Sequence, residues 1–268
     1  MIEVIHPLPQ IIEGGVFDMD DTLLDNHLGN EPTMNLHARA RLRAVHEVGQ
    51  EHDLVALTNL SPAANLEAFL TAKEHTPEGG VWNILIDAGL VIGEEVDRTN
   101  PYLQQIVKRK EQLHRDLLQD EALPVAGAVE FLELFHQAVP NRLSLATGAT
   151  RWEVDTFLGK FDLSRFFGER IISKEDIKQP KPHPQAFELG FQQLGLPDRS
   201  RQNVVAFEDD PHGVASAHKA GLFVVCLTTR HTPEKLKTAP TAPDIIVSDY
   251  HELSHLLNTT QLPQGSVE

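Results

Sequence analysis

Short apolar runs alternate with amphipathic segments along most of the second half of this chain, and this alternation restricts its fold more than any other feature. The runs predict strands at 14–19, 142–147, 171–173, 203–207, 222–227 and 244–247. The segments between them predict helices at 128–138, 151–160, 183–195 and 211–220. Short strands that alternate with helices indicate a parallel sheet. We therefore predict an α/β fold with a doubly wound, Rossmann-like parallel sheet.

Residues 26–123 depart from this alternation and are mostly helical. Helices are predicted there at 32–50, 62–74 and 101–121. A Gly-Gly pair at 79–80 is interpreted as a break between helices. The first strand belongs with the later strands, so the helical segment is predicted to be an insertion after it. This organisation predicts a catalytic core of residues 1–25 and 124–268 and an inserted helical cap domain of residues 26–123.

Composition and charge limit the classes to which this chain can belong. It has 268 residues, with 39 acidic and 23 basic side chains and a formal net charge of −16. Nucleic acid is disfavoured as a partner, because no basic stripe is present to neutralise phosphates. No apolar run could span a bilayer and the first residues lack a signal-peptide pattern, so we expect no membrane partner and a cytoplasmic location. Cys226 lies in an apolar run and is interpreted as a buried hydrophobe.

The first strand ends in Val16-Phe17-Asp18-Met19-Asp20-Asp21-Thr22, which carries the strongest chemical signal in the chain. Asp18 and Asp20 are two residues apart, so an extended backbone would direct both carboxylates to one face. Two carboxylates this close need a cation or a shared proton. One can act as a nucleophile while the other transfers protons. A turn with an aspartate as helix cap would explain an isolated pair, but three further segments with matching chemistry follow in order.

A second polar cluster, Thr147-Gly148-Ala149-Thr150, follows the strand predicted at 142–147. Thr147 offers a hydroxyl group, and Gly148 lets the backbone approach a ligand closely. N–H groups just before a helix N-terminus are a favourable place for an anion. When the cluster is taken alone, an ordinary strand–helix loop with a threonine cap explains it equally well.

The third segment, Lys178-Gln179-Pro180-Lys181-Pro182-His183-Pro184, is rich in proline. Prolines on both sides of Lys181 restrict the backbone to an extended course. A stiff loop can hold Lys181 toward a cluster of carboxylates and a phosphate, where its charge offsets theirs. The alternative is a surface loop with solvated lysines, and this is the interpretation that we prefer for Lys178.

The fourth segment, Phe207-Glu208-Asp209-Asp210-Pro211-His212-Gly213, has three consecutive acids at the end of a predicted buried strand. Ligands of such sheets bind at the carboxyl ends of the strands, so we expect these acids opposite Asp18 and Asp20. That many carboxylates in one place require a divalent cation, and hard oxygen ligands suit Mg²⁺. An acidic turn that caps the helix at Pro211 would explain Asp210 alone, but not all three acids.

Together the four segments resemble the motifs of the haloacid dehalogenase superfamily. The matching residues are, in order, Asp18-Met19-Asp20-Asp21-Thr22, Thr147, Lys181 in Lys-Pro-His-Pro, and Glu208-Asp209. The resemblance extends over residues 14–230 and points to the subgroup that contains β-phosphoglucomutase and small sugar-phosphate phosphatases. Members of this subgroup carry a helical cap after the first strand, and His37-Ala38-Arg39-Ala40 resembles its start.

The resemblance implies a role for each residue of the reaction. Asp18 would attack phosphorus and form an aspartyl-phosphate. Asp20 would protonate the leaving oxygen and then activate water. Thr147 and the Gly148 N–H would bind the phosphoryl group during its transfer, and Lys181 would bind it too and stabilise its negative charge.

The resemblance also implies a metal site for Mg²⁺. Its ligands would be the Asp18 carboxylate, the Asp20 backbone carbonyl and the Asp209 carboxylate. Glu208 would support this site. Asp210 stands where a serine is usual, and would add an outer contact to the metal ion.

Three departures from the family pattern bear on function. Asp21 replaces the glycine that is common in the family, and this replacement is frequent in phosphatases. Residues 27–30 are an extra stretch between the first motif and the cap helix. Pro62 falls where β-phosphoglucomutase carries an arginine for the second phosphate of its substrate, and this argues against mutase activity.

The sequence therefore predicts an Mg²⁺-dependent phosphatase that hydrolyses a small phosphate monoester, such as a sugar or polyol phosphate, through an aspartyl-phosphate. The first alternative is a β-phosphoglucomutase-like phosphomutase, in which a sugar hydroxyl accepts the phosphoryl group. The second is a non-catalytic protein that binds phosphate esters. The expected partner is a small phosphorylated metabolite. The sequence leaves the oligomeric state open and is compatible with a monomer.

Overall fold

The computed structural model describes residues 2–26, 34–74 and 76–259, so the extra stretch at 27–30 lies outside the described residues. The strands are β1 (Glu3–Val4), β2 (Gly14–Phe17), β3 (Leu24–Asp25), β4 (Leu123–Pro124), β5 (Leu143–Ala146), β6 (Ile171–Ile172), β7 (Val204–Glu208), β8 (Phe223–Leu227) and β9 (Ile245–Val247). The helices are α1 (Leu36–Glu51), α2 (Val55–Thr58), α3 (Pro62–Leu70), α4 (Pro77–Asp87), α5 (Pro101–Glu121), α6 (Ala128–Ala138), α7 (Arg151–Lys160), α8 (Ser164–Phe167), α9 (Gln185–Gln193), α10 (Pro211–Lys219), α11 (Pro233–Lys237) and α12 (Tyr250–Thr259).

The main sheet has the strand order β6-β5-β2-β7-β8-β9-β1. β2 pairs in parallel with β5 on one side and with β7 on the other, so that Val16 is level with Ser144 and Ala206. The edge strand β1 runs antiparallel to β9. The chain adds β5 and β6 on one side of β2 and then β7, β8 and β9 on the other, so the strand order reverses at β2. This confirms the predicted doubly wound parallel sheet and places its ligand crevice at the carboxyl end of β2.

Alternation along β2 directs Val16 to one face of the sheet and Phe17 to the other. The Val16 face packs against α9 and α10 through the buried side chains Ala186, Phe187, Phe191, Val214 and Ala217. On the opposite face, the rings of Phe17 and Phe207 are stacked with centroids 4.3 Å apart. Phe135 of α6 meets the Phe17 ring edge-on at 5.9 Å. The strand that precedes the first aspartate motif is therefore fixed by packing on both faces.

The chain folds into two compact units. One consists of Met1–Asp25 and Leu123–Glu268 and is called the α/β unit below. The other, Asn26–Ala122, is called the helical unit. We propose that the helical unit is an inserted cap domain.

The helical unit has a hydrophobic core of its own. α1 begins after Asn35, whose side chain accepts a hydrogen bond from the Ala38 N–H at 2.8 Å. The buried core residues come from α1, α2, α3, α4 and α5 and include Val45, Val48, Leu57, Ala68, Trp82, Leu85, Leu103 and Ile106. Within the described part of the chain, no helix combines the length and the apolar character that crossing a membrane requires.

The predicted break at Gly79-Gly80 is wrong, because α4 runs through both glycines. Thr76 caps this helix by accepting the Gly79 N–H at 3.1 Å, and Pro77 is its first residue. A Cβ atom on Gly79 would overlap the carbonyl oxygen of Glu74. The glycine therefore allows the helix to lie close to the preceding segment, rather than ending it.

α12 is one of the elements that the sequence analysis did not predict. Its first turn is capped by Asp249, whose carboxylate accepts the Glu252 N–H at 2.8 Å. Tyr250, Leu253 and Leu257 are buried and recur at helical spacing. The signal for this helix is therefore present in the sequence, directly after the last predicted strand.

Replacement of Phe131 by alanine tests the aromatic face of the sheet. Phe131 is fully buried, and its ring centroid lies 5.3 Å from that of Phe207. We expect Phe131→Ala to lower the free energy of unfolding by about 3–5 kcal/mol, because it leaves a cavity and removes aromatic contacts. Urea denaturation followed by circular dichroism measures this change.

The matched control is Glu133→Ala on the same helix. Glu133 is exposed and pairs with Arg165 at 2.8 Å. Surface ion pairs of this kind contribute about 1 kcal/mol or less, so this variant should unfold close to the wild type. Equal losses for the two variants would contradict the assignment of Phe131 to the core.

Candidate functional site

Every site residue predicted from the sequence lines one cavity in the α/β unit, at the carboxyl ends of β2, β5 and β7. The cavity has a volume of about 190 Å³. Its lining consists of Asp18, Asp20, Thr147, Gly148, Lys181, Glu208, Asp209, Asp210, His212, Gly213 and Arg230. The four sequence segments therefore meet where the strand order of the sheet reverses.

Asp18 directly follows β2, and its backbone N–H donates a hydrogen bond to the Phe207 carbonyl at 3.0 Å. Its carboxylate is buried, and Oδ1 accepts a hydrogen bond from Lys181 Nζ at 2.5 Å. Burial raises the pKa of Asp18 well above its usual range; Lys181 opposes this shift, and the Glu208 and Asp20 carboxylates add to it. The ionised form of Asp18 therefore depends on positive charge beside it.

Asp20 is half-buried and begins a tight turn. Asp21, the next residue, has a φ of 54°, in the left-handed region. Its N–H donates to the Leu24 carbonyl at 2.8 Å, within the same turn. Glycine adopts this conformation most easily, and aspartate is one of the few other residues that tolerate it. The replacement of the usual glycine by Asp21 is therefore compatible with the backbone of the motif.

Lys181 joins two buried carboxylates. Its Nζ lies 2.5 Å from Asp18 Oδ1 and 2.6 Å from Glu208 Oε1, and 4.7 Å from the centre of the Phe187 ring. Burial alone would lower the pKa of Lys181, but the two carboxylates outweigh burial and raise it. Lys181 is therefore a permanent cation at neutral pH.

Hydrogen bonds from α9 and α10 fix the proline-rich loop that carries Lys181. The side-chain oxygen of Gln185 accepts the Lys178 N–H at 2.9 Å. Ser216 Oγ donates to the His183 carbonyl at 2.6 Å. Lys178 itself is exposed, in agreement with the interpretation as a surface lysine.

Glu208, the last residue of β7, uses both carboxylate oxygens within the protein. Oε1 accepts a hydrogen bond from Lys181, and Oε2 accepts the N–H groups of Asp209 and Asp210 at 3.0 and 3.2 Å. Gly213, in the first turn of α10, leaves room for this carboxylate, because a Cβ atom there would overlap it. The geometry of Glu208 is that of a supporting group.

Asp209 is buried, and its Oδ2 has no hydrogen-bond partner within the described residues. Carboxylate oxygens of Asp18, Glu208 and Asp209 lie within 4.8 Å of one another. Burial raises the pKa of Asp209, and the Glu208 and Asp18 carboxylates raise it further. A buried oxygen without a partner, in a group of hard oxygen ligands, fits a divalent cation such as Mg²⁺.

Asp210 differs from its two neighbours, because it caps α10. Its Oδ1 accepts the His212 N–H at 2.9 Å, while Oδ2 lies 3.0 Å from His231 Nε2 and 3.2 Å from Arg230 Nη1. Burial would raise the pKa of Asp210, but these hydrogen bonds and charges lower it. Capping therefore explains this acid, as the alternative interpretation allowed, and its outer contact to a metal stays a prediction.

Thr147 and Gly148 form the wall of the cavity after β5. Thr147 is buried, and its Oγ1 accepts the Ala149 N–H at 3.1 Å. A Cβ atom on Gly148 would meet nothing within 4 Å, so its backbone faces open space. The helix cap of α7 is Thr150, whose hydroxyl accepts the Glu153 N–H at 3.3 Å. Thr147 is therefore not needed as the cap.

Sequence reasoning assigned no role to three residues that line the cavity, His212, Gly213 and Arg230. Arg230 comes three residues after β8, so the rule that pointed to the other strand ends applies to it as well. Its side chain is 45% exposed and pairs with Asp210, which gives the cavity a second basic group beside Lys181. Gly213 lies inside a helix and carries no chemical signal of its own.

Comparisons with known proteins give matches in sequence. The family model of haloacid dehalogenase-like hydrolases matches residues 12–221. An uncharacterized protein of Haemophilus influenzae is 29% identical over 233 residues, which is 85% of this chain and 95% of that protein. Glycerol-1-phosphate phosphohydrolase 1 of Saccharomyces cerevisiae is 30% identical over 138 residues. These are 50% of this chain and 54% of the yeast protein, so the match spans about half of that enzyme.

The fold is also similar to that of solved structures. A family IA, variant 3 hydrolase of Entamoeba histolytica superimposes with a TM-score of 0.69. The superposition covers 93% of this chain and 99% of that one, with 20% sequence identity. At this identity the likeness concerns the fold alone.

Two glycines of the cavity make a matched pair for testing the site geometry. We expect Gly213→Ala to lower the free energy of unfolding by about 1–3 kcal/mol, because its Cβ would push the Glu208 carboxylate from its position. Gly148→Ala should change it by about 0.5 kcal/mol or less, because the space beside Gly148 is open. Thermal or urea denaturation measures both. A stable Gly213→Ala protein would contradict the close contact with Glu208.

Proposed function

Because the chain belongs to the haloacid dehalogenase-like hydrolases, as its motifs predict, we propose that it is a phosphatase for small phosphate monoesters. The observation that carries this proposal is the contact of Lys181 with Asp18, 2.5 Å long, beside the unpartnered oxygen of Asp209. It joins a nucleophile, a fixed cation and a place for a metal ion in one cavity. Phosphoryl transfer depends on positioning and charge neutralisation of this kind.

The substrate class is proposed from the name of one relative. The similar yeast protein is named for hydrolysis of glycerol 1-phosphate. We therefore assign a sugar or polyol phosphate as the substrate.

Asp18 is the nucleophile and Asp20 is the general acid and base. Asp18 attacks phosphorus while the bond to the ester oxygen breaks, and Asp20 gives its proton to that oxygen. Water then attacks the phosphorus atom of the aspartyl-phosphate while the bond to the Asp18 oxygen breaks, which releases inorganic phosphate and restores the carboxylate. Asp20 accepts a proton from this water. The covalent step divides one difficult hydrolysis into two easier reactions.

Lys181, Thr147 and Gly148 bind the phosphoryl group. Lys181 holds Asp18 in place and offsets the negative charge of the phosphoryl oxygens. The Thr147 hydroxyl and the Gly148 N–H donate hydrogen bonds to these oxygens. The open space beside Gly148 supports its role, because the phosphoryl group can come close to its backbone.

Asp18, the Asp20 backbone carbonyl and Asp209 would hold Mg²⁺. When bound, this ion supplies two positive charges that offset the phosphate and the buried carboxylates. Glu208 orients the site through Lys181 and through the N–H groups of the residues that follow it. The raised pKa of Asp209 supports this assignment, because a cation lets that carboxylate stay ionised.

The phosphomutase remains an alternative that uses the same nucleophile. Its acceptor would be a sugar hydroxyl rather than water. Pro62, at the place where the resemblance implies an arginine, is the first residue of α3 and has no charge to bind a second phosphate. Hydrolysis is therefore the better-supported reaction.

The cytoplasmic location stays a prediction.

Phosphate release from a panel of esters tests the proposed function. With Mg²⁺ present, we expect release from glycerol 1-phosphate, hexitol phosphates or hexose 6-phosphates. Asp18→Asn should lower the rate by about 10³-fold or more, because the amide cannot attack phosphorus. Measurement of inorganic phosphate over time gives the rate for each ester.

The control for this experiment is Asp155→Asn, which changes an exposed aspartate of α7 that pairs with Arg151. It should keep the wild-type rate. Conversion of a hexose 1-phosphate to its 6-phosphate without release would favour the mutase. Binding of esters without turnover would favour the non-catalytic protein, and full activity of Asp18→Asn would exclude the nucleophile.

Thermal unfolding with and without Mg²⁺ tests the metal site independently of activity. At a concentration 100 times the dissociation constant, Mg²⁺ should stabilise the protein by about 2.7 kcal/mol. In Asp209→Asn this gain should disappear, because a neutral amide binds the ion weakly. In EDTA the variant should be at least as stable as the wild type, because it lacks a buried carboxylate with a raised pKa. An equal Mg²⁺ shift in both proteins would contradict the site.

A further inference from the structure

One carbonyl group accepts three hydrogen bonds within the turn that carries Asp20. The Met19 carbonyl accepts the N–H groups of Thr22, Leu23 and Leu24 at 3.3, 2.8 and 2.8 Å. The turn thus folds back on Met19, immediately after the proposed nucleophile. These local bonds leave the carbonyls of Asp21 and Thr22 to be satisfied from elsewhere.

Two hydroxyl groups from distant parts of the chain bind these two carbonyls. Thr229 Oγ1 donates to the Asp21 carbonyl at 2.5 Å. Tyr250 Oη donates to the Thr22 carbonyl at 2.9 Å. Thr229 lies two residues after β8, and Tyr250 is the first residue of α12. The turn is therefore held by hydrogen bonds to consecutive peptide groups.

Tyr250 is built into the core. Its side chain is fully buried, and its ring centroid lies 5.0 Å from that of Phe131. Burial raises the pKa of Tyr250 well above its usual range, and the Asp18 and Asp209 carboxylates add to this shift. The phenol therefore stays protonated at neutral pH and donates its hydrogen bond to the turn.

Thr229 binds the turn at Asp21, which has a left-handed backbone conformation. Asp21 has a φ of 54°, a conformation that aspartate tolerates but that is less favourable for it than for glycine, so hydrogen bonds to this residue help to stabilise the turn. The peptide group between Asp21 and Thr22 makes a hydrogen bond at each end. Its carbonyl oxygen accepts one from Thr229 Oγ1 at 2.5 Å, and its N–H donates one to the Met19 carbonyl at 3.3 Å. The hydrogen bond from Thr229 is the shorter of the two.

We infer that Thr229 is a positioning residue for Asp20, and that it acts through the carbonyl of Asp21 with Tyr250 holding the next peptide. This inference rests on the proposed function, in which the carboxyl group of Asp20 gives its proton to the leaving oxygen as the phosphorus–oxygen bond breaks. Asp20 is bonded directly to the strained residue that Thr229 restrains. Loss of the hydroxyl group frees this peptide to rotate and moves the acid away from the leaving oxygen.

The test compares leaving groups in Thr229→Val. The value of kcat/KM reports the steps up to departure of the leaving group. For the best alkyl ester of the panel it should fall by about 10-fold, because an alkoxide must be protonated as it leaves. For p-nitrophenyl phosphate it should fall by about 2-fold or less, because its leaving group departs without a proton.

Two control variants separate positioning from general damage. Thr229→Ser keeps the hydroxyl group and should retain the wild-type values for both esters. Thr238→Val removes a hydroxyl that donates to the Glu234 carbonyl at 2.8 Å in α11, away from the turn, and should change neither. An equal loss on both esters in Thr229→Val, or an equally impaired Thr229→Ser, would overturn the inference.

Hydrogen exchange gives a readout that does not depend on turnover. The amides of Leu23 and Leu24 should exchange faster in Thr229→Val than in the wild type, because the turn is less restrained. Unchanged exchange would overturn the inference whatever the kinetics. Absence of phosphate release from every ester by the wild type would instead overturn the proposed function, so the two failures are distinguishable.

Discussion

The rest of the site depends on the contacts of the Lys181 ammonium group with two carboxylates. This group lies 2.5 Å from Asp18 and 2.6 Å from Glu208, and both carboxylates are buried. A buried carboxylate that loses its partner is strongly destabilising, so the two acids can lie side by side only because a fixed cation lies between them. The hydrogen bonds of Gln185 and Ser216 to the lysine loop keep this cation in position.

Much of the site could be predicted from the sequence, because its groups follow strands directly. Asp18, Thr147 and Glu208 stand at the carboxyl ends of β2, β5 and β7, or one residue beyond, and parallel strands bring these ends to one edge. The roles of Glu208 and Asp210 were harder to separate. Only the structure reveals that one acid binds a lysine while the other caps a helix.

Other features depend on contacts between distant segments, and a linear pattern does not contain them. The residue type of Gly79 suggests a helix breaker. In the structure, however, its lack of a side chain allows the helix to pass close to the Glu74 backbone. Thr229 and Tyr250 bind carbonyls 208 and 228 residues away in the chain. Neither hydroxyl has a neighbour in sequence that would indicate its partner. Local propensity is overridden at such positions by tertiary packing.

The position of β2 also has a kinetic consequence during synthesis. This strand lies at residues 14–17, but its neighbours β5 and β7 begin only at residues 143 and 204. The central strand must therefore wait for partners that leave the ribosome much later, and pairing over such distances is slow. The helical unit, by contrast, is one continuous segment and can fold as soon as it has emerged. Until β7 is made, β2 lacks the partner on one of its two edges, and unpaired apolar strands of this kind make a nascent chain prone to aggregation.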